Sequence, residues 1–449
     1  MTRRPLAATV LLSIATSAPA LADQEKFTGT LAGHAILPAQ TLLAAPADAP
    51  AALQVSGKFT ERGNPARLRT EPSDGESLPL KGQPLQGFSG IKAIGDGSYY
   101  VLTDNGFGSK SNSPDAMLFF SIVRPDFETG TVAVESTTFL HDPDQVVPFV
   151  ITMEGTETRY LTGADFDIEG FQIVGDEIVI GDEFGPYIIV ANVETGRITE
   201  FHETFVEGDV VRSPDHYTLA LPSPGSDNPD YTARRSRGYE GLAASVDGTT
   251  LYPLLEGPLW DTDTGDWERV EDGRVALRLL EMNAATREWT GTSWFYPVED
   301  EGHAIGDFNM IDETRGLVIE RDGGQGDIEL ACKDGATENC FNRPAEFKRV
   351  YLIDMAGVEP GQPVHKVAYI DLLDLQDPNG VARQGQREDG RFTFPFVTIE
   401  DVDLVDDTHI IVGNDNNFPF SKGRSLDEVD DNELILLDVG DFLQASADG

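Results

Sequence analysis

Asp167 and Glu169 precede one short strand-like run, and Asp182 and Glu183 close the next, in "DIEGFQIVGDEIVIGDEFGPYIIV". The start and the finish of a hairpin lie at the same edge, so these carboxylates are expected to face one another. Two such charges about 4 Å apart repel by roughly 4 kcal/mol at an effective dielectric near 20. They respond by protonating or by binding a cation. Oxygen ligands in this number, in a chain with only 7 histidines, suit a hard ion and favour Ca2+ over Mg2+.

A single hairpin of this kind would be read as turn chemistry, since Asp and Gly make turns. The arrangement recurs, however. "SGIKAIGDGSYYVLTDNGFG" begins at Ser89 and ends at Asp104 and Asn105, and "EGLAASVDGTTLYPLLEGPL" runs from Glu240 to Glu256. "GDFNMIDETRGLVIERDGG" leads with Asp307 and closes at Glu320 and Asp322, and "EDVDLVDDTHIIVGNDNNF" leads with Glu400 and closes at Asp415 and Asn416. In every copy the leading residue and the closing acid stand 13 to 16 positions apart. Cations are scarce in these motifs: Arg237 precedes "GYEG", Arg321 sits in "ERDGG" and Arg424 follows "NNFPFSKG". Each can pair with a neighbouring carboxylate or hold a phosphate through bidentate donors.

The elements that must position these groups are short strands. Each copy is followed by further strand-like runs, such as "MLFFSIV" and "TVAVESTTFL", or "RVYLIDM" and "HKVAYIDLL". Four short strands per unit with turn signals between them predict an all-β fold: a β-propeller of five or six blades, each a four-stranded antiparallel sheet. The first strand of each blade then lines the channel. Ser89, Glu169, Glu240, Asp307 and Glu400 are expected to ring one mouth, with Asp104, Asp182, Glu183, Glu256, Glu320 and Asp415 just behind. The last copy shows three strands, and "KFTGTLAGHAIL" near the start of the mature chain is expected to add the fourth and close the ring. Segments around 205–237 and 376–394 read as long loops.

Arg3 and Arg4, the apolar run Leu6 to Ala15 and Ala20-Leu21-Ala22 form the layout of a secretory signal peptide over residues 1–22, leaving 23–449 as a single propeller domain. The expected location is the periplasm or the extracellular medium. The formal net charge is −44, two units more negative without Arg3 and Arg4, and such a polyanion repels nucleic acid and anionic lipid. Cys332 and Cys340 are expected to bridge and clip a loop. "GFSG" around Ser89 has the wrong Gly spacing for a hydrolase nucleophile elbow. His303, in "EGHAIGDF", stands just before a repeat motif and reads as structural.

At "LTDNGFG", "LTGADFDIEGF", "GDEFGPYI", "RGYEGLAASVDGTTLYPLLEGPL", "AIGDFNMID", "VIERDGG", "FPFVTIEDVD" and "VGNDNNFPFSKGR" the sequence resembles the phytase-like proteins described as esterase-like activity of phytase. The resemblance runs from about Phe88 to Leu437. It implies an exported β-propeller hydrolase of phosphate esters that needs calcium. Where many relatives read "DPES" this chain reads "DIEG", with Glu169 retained. The expected metal ligands are Asp104, Asn105, Asp182, Glu183, Glu256, Asp307, Glu320, Glu400, Asp415 and Asn416. Glu169 or Glu240 would serve as the base, and Arg237, Arg321 and Arg424 would stabilise phosphoryl charge. The expected partner is a small phosphorylated substrate, with no nucleic acid and no membrane insertion, and the protein is expected to be a monomer. Two other functions fit the same residues: a calcium-dependent carboxyl esterase or lactonase, and a non-catalytic binding propeller with structural calcium.

Overall fold

The computed structural model describes residues 24–60, 78–219 and 231–446, and the leader expected over residues 1–22 lies outside them. The described chain opens with β1 (Glu25–Phe27) and β2 (Thr30–Leu37). A first blade follows from β3 (Phe88–Ala93), β4 (Tyr99–Thr103), β5 (Phe119–Asp126) and β6 (Thr131–Phe139). The second comprises β7 (Ile168–Val174), β8 (Glu177–Asp182), β9 (Tyr187–Asn192) and β10 (Ile198–Glu203). The third comprises β11 (Tyr239–Ala244), β12 (Thr250–Leu255), β13 (Ala276–Asn283) and β14 (Trp289–Pro297). The fourth comprises β15 (Ala304–Met310), β16 (Arg315–Arg321), β17 (Lys348–Asp354) and β18 (His365–Asp371), with β1 added in parallel at its outer edge. The fifth contains β19 (Asp401–Leu404), β20 (His409–Gly413) and β21 (Asn432–Asp438).

The fifth blade takes its fourth strand from the N-terminus, as "KFTGTLAGHAIL" led one to expect. β2 pairs antiparallel with β21 from Thr30 opposite Asp438 to Leu37 opposite Asn432. A buried polar knot locks this closure: His34 Nε2 lies 3.0 Å from Glu433 Oε2, and Arg424 holds Glu433 in a bidentate pair at 2.8 and 2.6 Å. The described residues form five four-stranded blades and no sixth. Within the two expected loops lie small hairpins, Phe205–Val206 with Asp209–Val210 and Leu375–Gln376 with Arg391–Phe392.

The strands read as nearly continuous apolar runs because both faces of each blade are covered. In β8, Ile178 and Ile180 pack towards the first blade with Leu102 and Phe120, whereas Val179 packs towards the third with Leu242 and Leu251. The same alternation puts Tyr351 and Ile353 in one interface and Val350 and Leu352 in the next. A period of two therefore yields two cores per strand.

The inner strands β3, β7, β11, β15 and β19 neighbour one another in a closed ring. Their approach is so close that a Cβ on Gly170 would come within 2.6 Å of Glu240 O, and one on Gly306 within 2.1 Å of Ile399 O. Deeper along the axis, Asn309 bonds Lys92 and Gln172, and Lys92 also pairs with Asp403 at 2.9 Å, so side chains plug the channel. Among the described residues no helix is long and apolar enough to cross a membrane. Cys332 and Cys340 are joined in a disulfide that clips an exposed loop between β16 and β17.

Candidate metal centre

Residues at the leading and closing ends of the inner hairpins meet at one end of the ring. Asp167, Glu169 and Glu183 place a carboxylate oxygen each within 4.8 Å of one another, and Glu183, Glu240 and Glu256 do the same. All of these acids are buried. Glu183 Oε1 and Glu240 Oε1 have no hydrogen-bond partner. Asn105 Nδ2 donates to Asp167 Oδ1 at 2.6 Å and so orients the first trio. Glu400 completes the rim from the fifth blade, accepting from Arg321 Nη2 at 2.6 Å and from Ser89 Oγ at 3.2 Å.

The electrostatics follow from this crowding. Burial, then the charge of Glu240, pushes the Glu169 carboxyl well above the usual carboxylate range. Burial and the Glu256 charge do the same to Glu183 and to Glu240. Asp167 is pushed up to about 8, first by burial and then by Asp182. Burial alone would lower the Arg321 guanidinium, but the charges of Glu400, Glu240 and Glu256 outweigh it and raise it. Buried acids that resist ionisation, with unpartnered oxygens turned on one another, fit an oxygen-ligated divalent cation. Asp167, Glu169, Glu183, Glu240 and Glu256 are the residues that would hold it.

The family model described as "Phytase-like: Esterase-like activity of phytase" matches residues 83–418. The chain belongs to the phytase-like family. No curated protein matches it. Among solved structures it is similar to a luciferin-regenerating enzyme at 8% identity and TM-score 0.34, covering 79% of this chain and 78% of that one. It is also similar to the Dos1 propeller at 7% identity and TM-score 0.28, covering 79% and 68%. Hydrazine synthase of Kuenenia stuttgartiensis aligns at 11% identity and TM-score 0.28, covering 81% and 90%. The fold of this phytase-like chain rests on its own ring of blades, not on these likenesses.

The structure separates the expected site residues into two groups. Glu169, Glu183, Glu240, Glu256 and Glu400 converge at the mouth, with Arg237 and Arg321 against them. Asp104 and Asp415 stand beside this group, close enough that each pushes up the carboxyl of the next: Asp167 acts on Asp104, and Asp104 acts on Asp415, in both cases after burial. The second group serves the scaffold. Asp182 spends Oδ1 on the Asp167 N–H at 2.9 Å and Oδ2 on the Gly185 N–H at 2.7 Å. Asn105 cradles the turn after it, accepting from Gly108 N at 2.7 Å, and Asn416 accepts from Gly87 N at 3.1 Å.

Asp307, Glu320 and Arg424 are not at the mouth. Ile305 opposes Glu320 in the fourth blade as Ile168 opposes Asp182 in the second. Gly306 therefore stands where the second blade has Glu169, and Arg321 where it has Glu183. Asp307 lies one residue further along, on the other face of the strand. There it accepts from Phe308 N and Val402 N and ties two inner strands together. Glu320 is saturated by Lys366, Tyr296, His303 and the Glu299 N–H. Arg424 is committed to Glu433 and the Thr393 carbonyl.

Asp167 is the member of the cluster that the repeat comparison did not single out as a ligand. The signal was present, since it stands two positions before Glu169 and shares its side by strand periodicity. Lys110 was invisible to the repeat because it lies in a loop outside it. Its ammonium sits 5.1 Å from the centre of the Phe184 ring, and its charge bears on Asp182.

Proposed function

We propose that this chain is an exported, calcium-dependent hydrolase of phosphate esters that works at the carboxylate mouth. The observation that supports this most is the pair of carboxylate trios sharing Glu183, with Arg237 and Arg321 at their edge. When bound there, a divalent ion neutralises phosphoryl oxygens and polarises phosphorus towards attack. The Arg237 side chain is 45% exposed and presents its guanidinium donors to an incoming phosphate. Arg321 is pinned by Glu400 and keeps its buried Nε unpartnered, a donor for charge that builds on the phosphoryl group. Glu240, whose Oε1 makes no hydrogen bond and lies 3.6 Å from Arg321 Nη2, would orient the attacking water and take its proton with the oxygen it does not give to the ion. The substrate is a small phosphorylated molecule; the acidic surface disfavours nucleic acid and membrane partners, and the protein acts as a monomer. The disulfide fits an oxidising compartment such as the periplasm or the medium.

The family's description as esterase-like favours a second reading, a carboxyl esterase or lactonase in which the same mouth polarises a carbonyl. Ser89 is a poor nucleophile for it. Its hydroxyl faces Glu400, which is already paired with Arg321. A panel of phosphomonoesters, phosphodiesters, phytate, carboxyl esters and lactones, each with calcium and with chelator, tests both. Calcium-dependent turnover of phosphate esters is expected. Turnover of carboxyl esters or lactones alone would replace the first reading by the second.

A further inference from the structure

The two carboxylate trios at the mouth differ in what already neutralises them. Asp167, Glu169 and Glu183 have no ion-pair partner among the described residues, and Asp167 is steadied by the neutral amide of Asn105. Glu240 and Glu256 are instead occupied by guanidinium groups. Arg321 Nη2 lies 3.6 Å from Glu240 Oε1 and 3.9 Å from Glu256 Oε1, and Arg237 Nη1 is paired with Glu256 Oε2. Glu183 Oε1 and Glu240 Oε1 are buried without a hydrogen bond, the second with only the longer Arg321 ion pair, so neither trio is satisfied from within the chain.

We infer that the mouth holds two cation positions of unequal affinity sharing Glu183, and that Arg237 and Arg321 compete with the ion at the second. The inference rests on the reading of the mouth as a cation site. A guanidinium fixed within about 4 Å of the ligand oxygens repels an arriving divalent ion and must be displaced from the oxygens it holds. At the position of Asp167 and Glu169 no oxygen is held in an ion pair, and Arg237 bears on it only through its charge on the shared Glu183, so it fills first. Filling the second position turns the arginines out of their ion pairs and leaves their donors free for an anionic ligand. The arginines thereby act as counter-charges in the cation-free protein and as anion donors in the loaded one.

Calorimetric titration of the chelator-treated full-length mature protein with calcium chloride tests this without reference to activity. The wild type is expected to bind in two steps. Arg237→Gln should tighten the weaker step by about tenfold or more and the tighter step by much less, because its ion pair is with Glu256 and it reaches the shared Glu183 only through its charge. Arg321→Gln should act in the same direction, and the exposed Arg237 variant carries the test should the buried one fail to fold. Asp167→Asn should weaken the tighter step and spare the other. A single step in the wild type, or an Arg237→Gln protein whose second step is unchanged or weaker, would overturn the inference and leave a cation-binding mouth intact. Absence of calcium binding in the wild type would overturn the functional reading as well.

Discussion

Arg321 Nη2 sits 2.6 Å from Glu400 Oε1, joining the closing end of the fourth blade to the leading end of the fifth. In the second blade the place of Arg321 is taken by Glu183, so one blade of the ring contributes a cation where that one contributes a carboxylate. Gly306 accompanies this exchange: with Ile399 O pressed against it, the fourth blade has no leading side chain there. In the acidic mouth Arg321 thus stands where the repeat would place a carboxylate, beside Arg237 on Glu256.

Removal of the bound ion should make stability depend on pH in a set direction. Asp167 is pushed up to about 8 and Asp182 to about 7, both chiefly by burial, against an unfolded value near 3.9. Between these values the folded state holds protons that the unfolded state has released. Stability of the cation-free protein is therefore full below about pH 4 on this account, and is lost as pH rises through about 7 to 8. Melting temperatures in EGTA should fall by several degrees from pH 5 to pH 8, and calcium should flatten that slope. A melting temperature that rises over this range in EGTA would contradict the burial of these protonated acids.

Glu320→Gln separates scaffold from site. The carboxylate receives Lys366 Nζ at 2.6 Å, the Tyr296 hydroxyl, His303 Nδ1 and the Glu299 N–H, and an amide cannot accept all four. Lys366 would be left buried with a lost partner, a change costing about 3–5 kcal/mol. Denaturant titration should show this loss, whereas calcium stoichiometry should be that of the wild type. A stable variant lacking one calcium would return Glu320 to the metal centre.

The fold was legible because each blade is one hairpin repeat, and acids, glycines and apolar alternation recur together. Even the closing strand "KFTGTLAGHAIL" could be placed, since the last copy was one strand short. The site was legible only to within one residue. "GDFNM" aligns by its acid with "EGFQI" in composition, but the backbone aligns Gly306 with Glu169 and turns Asp307 away. Spacing also cannot tell Asp182 from Glu183, which are adjacent in the chain and opposite in role. Backbone N–H groups absorb the first, and the second is left to face its neighbours. Arg424 looked like a site residue because its partner Glu433 lies in a strand, outside the repeated acids.

The Cys332–Cys340 bridge closes a short exposed loop that contributes no residue to the carboxylate trios. Replacing both cysteines by serine should cost about 2–3 kcal/mol at most in the loop-entropy account. Turnover should remain within about twofold of wild type, because no residue of the mouth lies in the loop. Peptide mapping of the non-reduced wild type that finds two free thiols, or loss of turnover in a folded double variant, would refute this.

The most direct test of the mouth as the active site is the steady-state turnover of Glu240→Gln, measured with its melting temperature on one preparation. Glutamine keeps the shape of a side chain that is only 5% exposed and removes a charge that Glu256, Glu400 and Glu183 oppose. The cation-free variant should therefore melt no lower than wild type. Turnover of the phosphate ester found in the panel should fall by roughly a hundredfold or more, the scale of a positioned base or electrostatic group. Wild-type turnover in a folded Glu240→Gln protein would place the chemistry elsewhere.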